Sequence, residues 1–298
     1  MKQFFKDKQK LLMMTIFLLV VLVACSSPRD PETGKVYAEK LIGLDTSFGS
    51  QLNNGWFDGI IVWPIAQLIN WIAQYSDAGI GIIVVTLLLQ FITATFTIKS
   101  QVSAQRMQMI QPELTKIQAK YAGKTDDRSK MMQAQEMQQL YSKYKINPFG
   151  TILVTFLQFP IILGVYQATQ RAQAVVEGSF LNINLTETPM WGIKNGQWVY
   201  IVIFLLMAVF QFISMKFPQW MQKYREKHST VKRKDYANPK QGNGMANSMN
   251  MMMYVSLAMI CVFAINWPLS MSFYWLVSSI ARVIQNIVIQ KFFIKDIN

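Results

Sequence analysis

The chain has little charge, and still less of the groups that carry out chemistry. Only 15% of its 298 residues are charged, where a soluble domain has about a quarter. It holds two cysteines, Cys25 and Cys261, and a single histidine, His228. That inventory excludes a disulfide framework and a Cys/His zinc site. No acidic residue and no histidine falls inside a long apolar run. A buried hydrolase or acyltransferase centre, which needs a nucleophile with its base, a metal cluster or paired carboxylates, has no raw material there. No catalytic residue, metal ligand or cofactor is therefore expected. Cys261 reads as a small apolar filler and His228 as a solvated loop residue among lysines and arginines. What the chain has in excess is apolar side chains, 52%, and positive charge, net +13. In a soluble protein such a charge points to nucleic acid. With this apolar fraction it points instead to an all-α membrane protein whose cations lie on one side, with no direct nucleic-acid recognition.

The first residues form a processing signal. Lys2, Lys6, Lys8 and Lys10 precede an apolar run, Leu11 to Ala24, too short for a comfortable span. The run ends Leu22-Val23-Ala24-Cys25-Ser26-Ser27, which resembles the lipobox of bacterial lipoproteins. Residues 1–24 are accordingly expected to be a lipoprotein signal peptide. Cys25 is then the acylated new N-terminus, and 25–55 an extracellular, lipid-anchored linker.

The rest, 56–298, reads as one five-helix domain. A span needs about 20 mostly apolar residues. Five candidates follow: Ala78 to Ile98, Phe149 to Gln170 with Pro160 inside it, Trp198 to Met215, Met249 to Ile265, and Pro268 to Gln290. The last two are joined by Asn266 and Trp267 alone. Lysine and arginine crowd two of the connecting segments, 99–146 and 216–245, while 26–77 and 173–197 are acidic or near neutral. Cations mark cytoplasmic loops, so the charge pattern puts the N-terminus outside, as the lipobox does independently.

Smaller elements can be read as well. Gly59 to Tyr75 has Ile61, Ile65, Leu68, Ile69 and Ile72 on one helical face and Gln67, Asn70 and Gln74 on another, the pattern of an interfacial amphipathic helix. In 99–146, Leu114, Ile117 and Tyr121, then Met137, Tyr141 and Tyr144, recur at helical spacing around Ala122-Gly123-Lys124-Thr125. This predicts a helical hairpin whose second helix is capped by Asp126 or Asp127. Its methionines suit either packing between the two helices or an adaptable partner surface. Segment 216–245, rich in Lys, Arg, Asn, Gly and Pro, reads as a flexible loop.

Three stretches carry a family resemblance. They are Met137-Gln138-Gln139-Leu140-Tyr141 followed by Ile146-Asn147-Pro148-Phe149-Gly150 and Gln158-Phe159-Pro160-Ile161; Trp267-Pro268 with Phe273-Tyr274-Trp275 and Gln285; and the first span running into Thr97-Ile98-Lys99-Ser100-Gln101. In this order and topology they resemble the YidC/Oxa family of membrane insertases, in the five-span lipoprotein form typical of Gram-positive bacteria. The resemblance implies a hydrophilic groove within the bilayer, open to the cytoplasm and to lipid and closed outside. A client's polar tail rests there while its apolar segment enters lipid along spans three and five, past positions matched by Tyr274 and Trp275. Implied partners are nascent membrane proteins, the lipid bilayer, the Sec translocon and the ribosome. The end of this chain, Lys291 to Asn298, departs from the long basic tail that some members use on ribosomes.

One position departs further. The family usually has an arginine midway along span one, four residues after a threonine. The matching residues here are Thr86 and Gln90, and Gln90 is neutral. Span five, however, contains Arg282, the only charged residue deep in any span. Gln90 precedes Lys99 by nine residues and Arg282 precedes Lys291 by nine, so each lies about 13 Å from the same end of the bundle. Arg282 is thus expected to supply the groove's charge. Thr86, Gln90, Gln158, Gln211 and Gln285 are expected to wet the groove, as are Thr93, Thr97, Gln167, Ser214, Ser278 and Ser279, although such residues often serve helix–helix hydrogen bonds. A small transporter or channel is the competing function. It calls for internal repeats and several midplane charges, and neither is visible.

Overall fold

The computed structural model describes residues 28–29, 36–228 and 244–293. The segment expected to be a signal peptide, 1–24, and Cys25 lie outside the described residues. Among those described, helix dominates and β-structure is confined to isolated bridges. Nine helices matter here: α1 Phe48–Asn54, α2 Trp63–Ala73, α3 Ala78–Met109, α4 Gln111–Tyr121, α5 Asp127–Lys143, α6 Pro148–Arg171, α7 Trp198–His228, α8 Gly244–Asn266 and α9 Leu269–Phe293.

The long helices are inverted relative to those of a soluble protein. On α3, Phe91 and Phe96 are 75% and 78% exposed, while Thr86 and Thr97 are buried. On α7, Val202, Leu205 and Val209 face outward and Gln211 and Ser214 inward. On α9, Ile284 and Ile287 are exposed and Ser278 and Ser279 fully buried. Polar groups turned inward and large apolar groups outward suit a lipid surround, where burying apolar surface brings no gain and polar side chains bond helix to helix. Ala78–Met109, Trp198–Met221 and Leu269–Phe293 are long and apolar enough to cross a membrane, and Asn250–Asn266 is a shorter apolar helix.

The chain forms two compact units. The first comprises residues up to Leu89, Thr155–Leu205 and Ala264–Val277; the second comprises Gln90–Val154, Leu206–Phe263 and from Ser278 on. Each of α3, α6, α7, α8 and α9 begins in one unit and ends in the other.

In the first unit the stretch expected to be a linker is tied down at residues 36–54. Ile42 bridges to Ala172, its N–H donating to the Arg171 carbonyl at 2.7 Å and its carbonyl accepting from Gln173 N–H at 3.0 Å. Helix α2 follows a π-type turn, Asp58–Val62, and tolerates Pro64 in its first turn. Of the polar face read for an interfacial helix, Gln74 is exposed but Asn70 and Gln67 turn inward. Asn70 is buried, donating to the Ile42 carbonyl at 2.6 Å and accepting from Ala174 N–H at 3.0 Å. Gln67 donates to the Gly43 carbonyl at 2.7 Å. The polar residues serve an internal seam because the backbone of 42–46 lies against them and needs partners. Leu68 and Trp71 stay exposed. Gly81 lets α3 approach α2 closely, since a Cβ there would stand 2.9 Å from the Ile69 carbonyl oxygen.

In the second unit, α4 and α5 form the expected hairpin. Ile110, Leu114, Leu140 and Ile146 make its core, with Met107, Ile117, Met137, Tyr141 and Tyr144 packed around them. Gly123 turns the chain at φ 80°, a left-handed geometry that suits glycine. Asp126 caps α5, accepting from Ser129 N–H at 2.8 Å. Tyr121 donates to Glu136 at 2.9 Å and Tyr144 to Glu113 at 2.7 Å. The methionines divide: Met137 packs, while Met131 and Met132 are exposed.

Two boundaries differ from expectation. The first span helix continues to Met109, so 99–109 extends α3 and the hairpin starts only after Ile110. Helix α7 runs to His228 and takes in half of the segment read as a loop. Phe212 packs edge-on against Trp220, and Lys216 lies over the Tyr254 ring at 5.0 Å. These aromatic contacts hold a stretch whose composition alone looked unstructured.

Candidate functional site

The site follows from periodicity on α9. Ser278, Ser279, Arg282, Gln285, Asn286 and Gln290 recur at three- and four-residue intervals, making one polar stripe on an apolar helix. Within the second unit this stripe meets Gln211 of α7. The Gln211 side-chain oxygen accepts from Arg282 Nη2 at 2.8 Å and from Ser279 Oγ at 2.5 Å, and Arg282 Nη2 also reaches Ser279 Oγ at 3.1 Å. Gln211 and Ser279 are buried and Arg282 is half-buried. These partners orient the guanidinium.

Helix α3 carries a second polar row in the same unit. Gln90 is half-buried, and its carbonyl accepts from Thr93 Oγ1 at 3.1 Å. Thr97 accepts from Gln101 at 2.7 Å. Gln105 then donates to Asn286 of α9 at 2.9 Å. Gln105 and Asn286 were not foreseen as site residues, although Gln101 and Gln105 continue the i+4 series from Thr97 into the 99–109 extension of the helix.

Thr86, Gln158, Gln167, Tyr274 and Trp275 lie in the first unit. Thr86 is buried and donates to its own helix at the Ile82 carbonyl, 2.6 Å away. Gln158 donates to Tyr274 Oη at 3.0 Å, so an expected groove residue and an expected client-path residue bind each other. Tyr274 and Trp275 are 1% and 6% exposed. Trp275 stacks on Trp267 at 5.7 Å, which in turn lies 4.5 Å from Tyr166. Both are core aromatics here. Gln285, of the second unit, is half-buried, and its side-chain N–H group has no protein partner.

A second buried arginine went unnoticed in the sequence. Arg171, at the end of α6, pairs with Asp58 at 2.8 Å and donates to the Lys40 carbonyl at 2.8 Å and to Gln51 at 2.5 Å. It is 1% exposed. The one available signal was a lone arginine beside Gln170 at the end of an apolar run, with Asp58 isolated just ahead of another.

Long helices with an apolar exterior and a buried polar stripe define an integral, multi-pass membrane protein. The family described as 60Kd inner membrane protein matches residues 70–296. The chain is also similar to membrane protein insertase MisCA of Bacillus subtilis, 28% identical over 96% of this chain and 92% of that protein. It is 29% identical to membrane protein insertase YidC 2 of Bacillus anthracis over 96% of this chain and 94% of that one. With membrane protein insertase YidC 1 of Streptococcus pyogenes serotype M1 the identity is 30%, over 79% and 74%. This chain belongs to the 60Kd inner membrane protein family, as its YidC/Oxa-like motifs implied.

Proposed function

We propose that this chain is a membrane protein insertase of the cell membrane, and that Arg282 supplies the positive charge of its intramembrane groove. The observation that carries the site is the Gln211–Ser279–Arg282 cluster, a guanidinium held by an amide and a hydroxyl inside two long, largely apolar helices. An ionisable group in such a place is by default functional. Carrying a client's polar tail through hydrocarbon leaves its backbone groups unsatisfied at several kcal/mol each. A wet, cationic cavity shortens that passage and attracts acidic tails, while the client's apolar segment moves into lipid.

The chain crosses the membrane five times in this reading, through α3, α6, α7, α8 and α9, with its N-terminus outside and Cys25 acylated. Support comes from the loop charges: lysine and arginine crowd 99–146 and 216–245, while 26–77 and 173–197 are acidic or near neutral. Helix α2 lies at the outer interface through exposed Leu68 and Trp71. The cytoplasmic hairpin receives clients, from ribosomes or beside the Sec translocon. A client path past Tyr274 and Trp275 requires the Gln158–Tyr274 hydrogen bond and the Trp267–Trp275 stack to open.

The test is client insertion in cells depleted of other insertases. Arg282→Ala should abolish insertion of a single-span client with an acidic tail, and Arg282→Ala with Gln90→Arg should restore it. Normal insertion by the single variant removes Arg282 from the mechanism. Liposome flux assays address the competing transporter reading: solute-specific flux would favour it over an insertase.

A further inference from the structure

The chain just after Cys25 is bound to the C-terminal end of α6 at successive points. Arg29 donates from Nε to the Gln170 side-chain oxygen at 2.5 Å, and Glu187 and Tyr166 lie close enough to act on its charge. Pro28 is buried, its carbonyl accepting from Tyr37 N–H at 3.1 Å, and Arg29 bridges to Val36. Farther along, the Lys40 carbonyl accepts from Arg171, and Ile42 pairs with the backbone of Arg171 and Gln173. All of these residues belong to the first unit. Cys25 precedes Arg29 by four residues, a covalent reach of at most about 14 Å. Whatever Cys25 carries is therefore confined to the neighbourhood of Gln170.

The face of α6 that receives Arg29 continues as an apolar stripe. Gln170, Tyr166, Ile162 and Phe159 follow one another at intervals of four, four and three residues, so they share one side of the helix. Gln170 is buried, whereas Tyr166, Ile162 and Phe159 are each half-buried and so partly accessible. The Trp267 ring lies 4.5 Å from that of Tyr166 and borders the stripe near its polar end. From Gln170 to Phe159 the stripe is about 16 Å long at the helical rise, the hydrocarbon depth of one leaflet. We propose that this stripe is the seat of the chain's own lipid: the diacylglyceryl group on Cys25 lies along Tyr166, Ile162 and Phe159, put there by the Arg29–Gln170 clasp. The proposal rests on the acylation of Cys25 and changes what that lipid does. A free tether would only keep the chain at the membrane, which span helices do far more firmly without it. A seated lipid instead covers one face of α6 and excludes bulk phospholipid from it.

The experiment uses the full chain in bacteria that process lipoproteins, fed a photoreactive diazirine fatty acid that enters both the Cys25 lipid and bulk phospholipid. After the membranes are illuminated, mass spectrometry of the digested protein separates two products. A Cys25 peptide joined to another peptide of the chain reports the protein's own lipid. A peptide carrying a lipid alone reports bulk phospholipid. The wild type should join Cys25 to the 159–166 stretch several-fold more often than to any other span helix. Arg29→Ala should lower that yield about tenfold, the scale of one hydrogen bond from a charged group, whereas Gln170→Glu, which keeps an acceptor, should retain it. A Gly/Ser linker of about 20 residues between Ser27 and Pro28 adds roughly 25 Å of flexible reach. It leaves Arg29 in place and should spread the products over the other lipid-exposed helices. Even spreading in the wild type overturns the proposal, as does an α6 stripe that carries only bulk lipid. An unchanged yield in Arg29→Ala or in the linker chain overturns it as well, since the clasp would then not place the lipid. If Cys25 carries no lipid, the acylation reading falls and the seat falls with it; a lipidated Cys25 joined elsewhere removes the seat alone.

Discussion

Arg171 and Arg282, one in each compact unit, are held in opposite ways. Arg171 has a carboxylate, Asp58, at 2.8 Å, together with an amide and a main-chain carbonyl. Arg282 has the neutral Gln211 amide and Ser279 hydroxyl. The first arrangement cancels the charge where it is buried, so that the guanidinium acts as a four-way staple between α6, the Lys40 turn, α1 and the turn before α2. The second fixes the direction of the guanidinium through a hydrogen-bond network. A carboxylate partner makes Arg171 a staple between elements, whereas an amide and a hydroxyl orient Arg282 along the polar stripe.

The strongest way to break this contrast is to exchange the two behaviours. Asp58→Asn leaves Arg171 buried without its counter-charge and should cost about 3–5 kcal/mol, read as a large fall in thermal stability in detergent. Gln211→Glu would pair Arg282 with a carboxylate. It should leave the melting temperature near the wild-type value but abolish insertion of acidic-tailed clients, an effect that Gln211→Leu should reproduce only in part. An insertion rate unaffected by Gln211→Glu would show that the charge is not used. The hairpin offers a third, local comparison. Leu114→Ala should cost about 2–5 kcal/mol of hairpin stability, seen as faster hydrogen exchange in α4 and α5 with the span helices unchanged.

The smallest expected effect is on pH. Lys120 and Tyr121 donate to Glu136 and hold its carboxyl below the usual carboxylate range, and the Ser129 N–H does the same for Asp126. Because both folded-state values are depressed, their stabilisation is complete above the ordinary carboxylate range. It is lost as pH falls through the depressed values. Protection of hairpin amides, corrected for intrinsic exchange rates, should decline over that acid window and remain flat above it. Glu136→Gln should remove its share of the decline.

Much of the fold was legible because the bilayer imposes simple rules. Long apolar runs gave α3, α7 and α9. The Leu114 and Leu140 periodicity and the Gly123 break gave the hairpin, down to the Asp126 cap. Arg282 stood out as a lone cation in such a run. The boundaries at Met109 and His228 were missed because a helix does not stop where its surroundings change from lipid to water: it stops where its backbone partners or side-chain contacts do. Segment 216–228 looked loop-like by composition, yet Trp220 and Lys216 find aromatic partners that composition does not show.

The sequence by itself determined the class of the protein, its helical character and the way its charge is distributed along the chain, since each of these depends on the residue types and on the free energy of putting them in lipid or water. Only the tertiary structure decided which polar residues are already satisfied by one another. It joined Gln158 to Tyr274, put Asn70 against the Ile42 backbone, and closed Arg171 on Asp58. Hydrogen bonds act over about 3 Å, and residues more than a hundred positions apart come within that distance only when the chain has folded.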